Sequence, residues 1–538
     1  MAERFSEADL IGAEMVSLLD FNFAGRVWRL ATEVADITDG SDTLSYSAGL
    51  MEIDFPQAVV GFSTEPTSVS VSLEIYLPDG ANVAQLVADG HDLTTATGEL
   101  SQWIKGTAYN KRVRRLVGRA SAPVYGAANE PIQLSLVSMP FEDRSALIPG
   151  TAVVTVENWP NSYEDHRGNA YPFVFGVPAA TATHLAVSPG WVVNSLSTGT
   201  LLVAGHEVAA ALVSVKDLAV EGAGWRPLSI AHTTDALGRT VAVVVLPASG
   251  DAVLNADGRY VVSWAGSLGG MLTRDRTGAV TTAGDLLELL LDQSTLSIDR
   301  GRVVAAIHSL RGFHLAGFYD DLDSTTWDFV RSNVLPILPV DLVNGPDGIY
   351  PVVYNWMARP EDVQVDWDAQ RYDVSRVRGA GVEYRTTRVG QLANEIRISY
   401  AHSVDTGRDT RTCVVHGDPG SGSATDRYLS RACHLSMVRH NNNNNRLQPF
   451  VETIQTNVVY QPETAARIAL WRAAAKALAS RRVVYDGPLT LGWVQAGFIV
   501  KLTDSDIAFT DQLCMVVGVR VATSSIQFTL ETIEANSA

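Results

Sequence analysis

The chain has 538 residues and a formal net charge of −18, with 41 basic against 59 acidic residues. Hydrophobic residues make up 46% and charged residues 19%, which is enough apolar material for about three or four packed domains and excludes a disordered chain. Only five of the basic residues are lysines, and the acidic balance argues against a protein that wraps duplex DNA, though not against a pore through which DNA passes.

Three cysteines in a chain this long do not make a disulfide framework. No apolar run approaches the ~18 residues needed to span a bilayer. The first residues are polar and acidic, unlike a secretory signal. The expectation is a soluble product made in the cytoplasm.

Period-2 alternation dominates residues 1–150. Val69, Val71, Leu73, Ile75 and Leu77 alternate with polar residues, which predicts a half-buried strand. Leu19, Phe21 and Phe23 alternate as well, and Ala24-Gly25 followed by Val27-Trp28-Arg29-Leu30 predicts a hairpin. Residues 112–120 and 132–137 read as another strand pair, and 81–88 fits one short helix. Together these predict a small β-barrel or β-sandwich domain over 1–150.

Residues 151–268 read as a second β-rich domain. Its strands are predicted at 151–156, 200–204, 211–215, 240–246 and 260–264, with a turn at 255–258. The texture changes near 280. Thr282 and Asp285 have capping-box spacing before the apolar run 286–291, and Thr325 and Asp328 repeat it before 329–335, a helix stopped by Pro336 and Pro339. A helix at 302–310 and a strand at 349–354 complete a predicted α+β insert domain over 269–357.

Residues 358–538 read as a C-terminal β-barrel domain. Strands are predicted at 363–367, 374–378, 395–400 and 452–460. The polar stretch 402–447, with Gly417, Gly420, Gly422 and the asparagines 441–445, reads as an exposed, partly disordered insertion. Pro462 opens a helix over 463–481, rich in Ala, Leu and Arg. Its arginines 467, 472, 481 and 482 are candidates for ion pairs at a subunit seam. Strands at 483–485, 489–491, 498–502, 515–521 and 526–533 close the chain.

Few residues invite chemistry. His206-Glu207 begins like a zinc-peptidase motif, but position 210 is Ala210, so the second ligand is missing. The Gly-rich segment 417–423 lacks the Lys-Ser/Thr that holds phosphate. Asp320, Asp321 and Asp323 lack the Gly and Glu of a calcium loop, because counting from Asp321 puts Thr326 at position six and Ser332 at twelve. Cys413, His416, Cys433 and His434, with His402 and His440 nearby, are the most metal-like set. They are open to three readings: a metal site, a Cys413–Cys433 disulfide, or unlinked residues of a loop. No catalytic, cofactor-binding or metal residue is assigned, and no cofactor is expected.

The order of the pieces resembles the tail-tip baseplate hub proteins of long-tailed, siphovirus-like phages and gene-transfer-agent particles, and more distantly contractile-tail and type VI hubs. Three stretches carry the resemblance. One is 283–299, from Ala283-Gly284-Asp285 to Ile298-Asp299. The second is 325–339 followed by Gly345-Pro346-Asp347-Gly348-Ile349-Tyr350. The third is the helix from 463 with Gly492-Trp493-Val494 and the closing strands.

The resemblance implies the following fold class: mainly β with an α+β insert, two tube-like β-barrel domains, and intervening β-rich and α+β domains. It implies a non-enzymatic structural virion protein. That protein would be a homotrimer whose two barrels per chain adapt a sixfold tail tube to a threefold tip and form part of the DNA-ejection conduit. The implied partners are the distal tail protein or tail tube hexamer, other tail-tip and fibre proteins, the tape measure protein, and DNA in transit, without stable membrane insertion. The implied place is the virion tail tip, after assembly in the host cytoplasm. A receptor- or glycan-binding tail protein and a tail-associated glycosidase are the alternatives.

Overall fold

The structure, a computed structural model, describes residues 14–54, 57–59, 70–78, 81–126, 130–138, 152–176, 185–196, 199–248, 253–255, 257–264, 280–293, 298–321, 326–345, 348–368, 374–377, 382–384, 392–418, 425–440, 449–488, 491–521 and 525–534. The asparagines 441–445, the Gly-rich residues 419–423, Asp323, Thr325 and the side chain of Trp327 lie outside them.

Strands β1 (Met15–Phe23) and β2 (Arg26–Ala31) form the expected hairpin. Its turn residues Ala24 and Gly25 both have positive φ, 55° and 71°, the type I′ geometry that matches strand twist. Next come β3 (Ala35–Asp39), β4 (Asp42–Ala48), β5 (Leu50–Asp54), β6 (Gln57–Val59) and β7 (Ser70–Ile75). Helix α1 (Val83–Ala88), β8 (Thr97–Ile104), β9 (Val113–Val124) and β10 (Ile132–Ser138) follow. Nine strands make one sheet, ordered β3-β4-β2-β1-β8-β9-β10-β7-β5. Val71, Leu73 and Ile75 are buried while Ser70 and Ser72 are exposed, as the alternation requires. β1 is apolar on both faces: Leu19, Phe21 and Phe23 enter the main core, while Val16 and Leu18 enter a smaller one with Ile37, Tyr46 and Trp103.

Residues 152–176 do not begin with the expected strand. Asn158 donates its amide to the Val153 carbonyl at 2.9 Å, and a single bridge joins Val153 to Ala170. These contacts fold the segment back into a loop. Val154 and Tyr171 press that loop on the outer face of a barrel, against Leu202, Val241 and Val243. After β11 (Phe173–Phe175) come β12 (Ser188–Asn194), β13 (Thr200–Ala204), β14 (Leu212–Asp217), β15 (Arg226–Thr234), β16 (Thr240–Val245) and β17 (Tyr260–Trp264). They close in the order β12-β13-β16-β15-β14-β17. The closed path is thus the middle one, and the terminal sheets run as open paths among the described strands.

The insert holds α2 (Ala283–Gln293), α3 (Arg300–Leu310), β18 (Gly317–Tyr319), α4 (Thr326–Phe329), β19 (Val340–Gly345) and β20 (Gly348–Val353). The first capping box is formed in full. The Asp285 carboxylate accepts from the Thr282 amide at 3.1 Å, and the Thr282 hydroxyl oxygen accepts from the Asp285 amide at 3.2 Å. α4 runs into a wider π turn over 330–334. β18 pairs with β11, which ties the insert to the barrel module.

The C-terminal part differs most from expectation. Strands β21 (Val365–Asp368), β22 (Ser375–Arg376) and β23 (Glu383–Tyr384) precede β24 (Glu395–Ser403), β25 (Arg408–His416) and β26 (Asp426–Leu429). Helix α5 (Arg431–Arg439), β27 (Val451–Gln455) and α6 (Pro462–Lys476) follow. The described part of 402–447 is therefore folded rather than an exposed insertion. β26-β25-β24-β27 is a four-stranded mixed sheet, and α6 packs on β24 and β25. α6 ends at Lys476 instead of 481, because Arg481 already pairs in a strand. The last sheet contains β28 (Arg481–Gly487), β29 (Ile499–Asp504), β30 (Phe509–Val521) and β31 (Ile526–Thr532), in the order β21-β29-β30-β31-β28-β22. The chain is mainly β and multi-domain, as expected. Among the described residues no helix is long and apolar enough to cross a membrane.

Candidate functional site

The first and last sheets are joined although they lie at opposite ends of the sequence. β6 leaves the first sheet and pairs antiparallel with β30, through Gly518↔Val59, Val519↔Ala58 and Arg520↔Gln57. One continuous apolar core contains Phe21, Trp28 and Leu134 from the first sheet and Trp367, Val500 and Phe528 from the last. The Arg115 guanidinium donates to the Gly492 carbonyl at 3.1 Å. Each chain thereby presents two β modules side by side.

A cleft of about 490 Å³ opens between the 152–176 loop, the closed barrel, β18 and the β24–β25 turn. The Val404 amide donates to the Ala186 carbonyl at 2.8 Å, tying that turn to the barrel. The lip at 257–259 is held from below. Asp217, fully buried, accepts from the Ala219 amide at 2.9 Å and the Arg259 amide at 3.0 Å. Nδ1 of His166 accepts from the Val192 amide at 2.6 Å, so Nε2 carries the proton and donates to the Gly258 carbonyl at 3.1 Å. Burial lowers the His166 pKa and keeps the ring neutral. Trp191 stands edge-on to His166, 5.9 Å between centroids, and its indole donates to the Ala170 carbonyl at 2.9 Å. Asp165, Asp257, Arg259 and Asp320 also line the cleft. Burial, then the Asp321 carboxylate, raises the Asp320 pKa.

The residues singled out from the sequence lie elsewhere, apart from Asp320. His206 is buried as a structural histidine. Its Nε2 accepts from the Val174 amide at 3.2 Å, and its Nδ1 donates to the Glu207 carbonyl at 2.7 Å. Cys413 and Cys433 are buried free thiols, and burial pushes them up to about 12 and about 11. His416 accepts from the Asp418 amide at 3.1 Å, and His434 donates to the Gly417 carbonyl at 3.0 Å. Among the described residues no group of three or more His, Cys, Asp or Glu side chains is placed to hold a metal ion. Three of the four candidate seam arginines are engaged within the chain. Arg472 bonds the Pro336 carbonyl, Arg481 pairs with Glu534 at 3.1 Å, and Arg482 pairs with Glu531 at 3.4 Å.

The cleft was not visible in the sequence. Its residues run from 165 to 404, and the local signals near it were the turn at 255–258 and the acidic residue Asp320.

No family model and no curated protein matches the chain. Among solved structures it is similar to a tail protein from Neisseria meningitidis MC58, at 10% identity and TM-score 0.36 over 96% of each chain. It is similar to the 43 kDa tail protein of prophage MuSo2 from Shewanella oneidensis, at 10% identity and TM-score 0.32, over 97% of this chain and 99% of that one. A chain of the native gene transfer agent virion aligns at 14% identity and TM-score 0.20, over 48% of this chain and 83% of that one.

Proposed function

We propose that the chain is a structural protein of a phage tail, and specifically the trimeric hub of its tip. The observation that carries this reading is the pairing of the first and last sheets through β6 and a shared core. Two β modules side by side in one chain become six in a closed trimer, so a threefold assembly offers a sixfold face to a tail tube. The end strands of the two sheets, β3 and β5 in one and β21 and β22 in the other, carry backbone groups that pairing at subunit seams would satisfy.

The work is geometric and needs no bond chemistry. One face of the ring meets the tail tube or distal tail protein hexamer, and the middle modules hold other tip and fibre proteins and the tape measure protein. A net charge of −18 suits a conduit that lets DNA slide past without holding it. Gold-labelled antibody against the chain, imaged on intact particles, tests the placement. Label at the tail tip is expected, and label confined to the head or the tail shaft would reject it.

A further inference from the structure

The cleft beside the closed barrel plays no part in joining the terminal sheets, and its lining combines an aromatic ring with charged side chains of both signs. Trp191 offers an aromatic wall. Asp165, Asp257 and Asp320 offer acceptors, and Arg259 offers donors. The lip is fixed in advance by Asp217 and His166, so little ordering is left for a ligand to impose. The volume of about 490 Å³ falls in the small-molecule range of about 300–1,000 Å³.

The mixture of charges selects the ligand class. An anion would face three carboxylates, and a compact cation would meet the Arg259 guanidinium. A neutral polyhydroxylated molecule satisfies both sets. Its hydroxyls donate to the carboxylates and accept from the guanidinium, while the C–H face of a sugar ring covers the indole. We propose that this cleft is a saccharide-binding site for a short neutral oligosaccharide. It stands independently of the hub reading.

Saturation-transfer NMR on the full chain tests it, with maltotriose and tri-N-acetylchitotriose as probes and spermidine and inorganic phosphate as charged controls. At least one sugar is expected to show saturable transfer centred on its ring C–H protons. Arg259→Ala and Asp257→Asn change side chains on the exposed lip, so the thermal midpoint should hold while sugar affinity falls about tenfold or more. Trp191→Ala should abolish binding, and the two lip variants decide the matter if that protein fails to fold. The proposal is overturned if neither sugar binds, if binding is unchanged in both lip variants, or if only spermidine or phosphate binds.

Discussion

Arg115 on β9 donates its guanidinium to the carbonyl of Gly492, 377 positions away in sequence, at 3.1 Å. This bond crosses from the first sheet to the connection between β28 and β29 of the last, and β6 and the shared core also join the two sheets. Arg115→Ala should cost about 1.5–3 kcal/mol, the range for a hydrogen bond from a charged donor. Denaturant unfolding would read it as a lower midpoint. An unchanged midpoint would mean that the crossing bond contributes nothing to the pairing.

The hairpin turn offers a stabilising change. Ala24 holds φ at 55°, a conformation that a side chain with a Cβ tolerates poorly. Ala24→Asn creates the Asn-Gly pair that type I′ turns prefer, and should add about 1 kcal/mol. Ala24→Val should subtract at least as much. Thermal midpoints of the two variants should move in opposite directions.

Gly417 marks a close approach. A Cβ built there would lie 2.4 Å from the His434 amide nitrogen, at the start of α5. Gly417→Ala must push the helix away from β25, at about 1–3 kcal/mol for overpacking. Hydrogen exchange should show faster opening over 431–439 in that variant.

Trp471 is the clearest core anchor between modules. It is buried on α6, and its indole donates to the Ile337 carbonyl at 3.3 Å. Trp471→Ala should destabilise the middle of the chain by about 3–5 kcal/mol. An unfolding midpoint equal to that of the parent protein would refute this packing.

Stability should fall on both sides of neutrality. Burial lowers the pKa of His166 and His206 below the ordinary 6.5. The unfolded chain then binds more protons than the native one as pH drops below about 6.5, so this stability is full above that value and is lost towards the lower native pKa. Burial pushes Tyr171 and Tyr260 up from 10.0 to about 12. The native state keeps protons that the unfolded chain releases, so this contribution is full below pH 10 and is lost as pH rises to about 12. Urea midpoints measured across pH should show both shoulders, and His206→Gln should flatten the acid one.

Strands buried on one face were legible because alternation is their direct signature, as at Val71, Leu73 and Ile75. The start of α2 was legible from Thr282 and Asp285 because the cap is local. In the sheet of 395–455, β24 and β27 were legible from the strands expected at 395–400 and 452–460, but β25 and β26 were not. In β25, Arg408, Thr410 and Arg411 lie on partly solvated surface, and burial sets in only from Cys413 onward. That half of the strand therefore reads as loop. β26 is an edge of four residues, pinned by the Tyr400 hydroxyl donating to Asp426 at 2.5 Å, a contact 26 positions apart that no local pattern announces. The cleft depends on the same kind of long-range juxtaposition, with Asp165, Trp191 and Arg259 each unremarkable in its own segment and Asp320 noticed only as part of an acidic cluster.

The trimer is the central claim, and the mass of the purified chain in solution, measured by light scattering across a concentration series, tests it most directly. The account predicts a particle of three times 57.9 kDa. A mass of 57.9 kDa that stays constant to the highest concentration reached would contradict it.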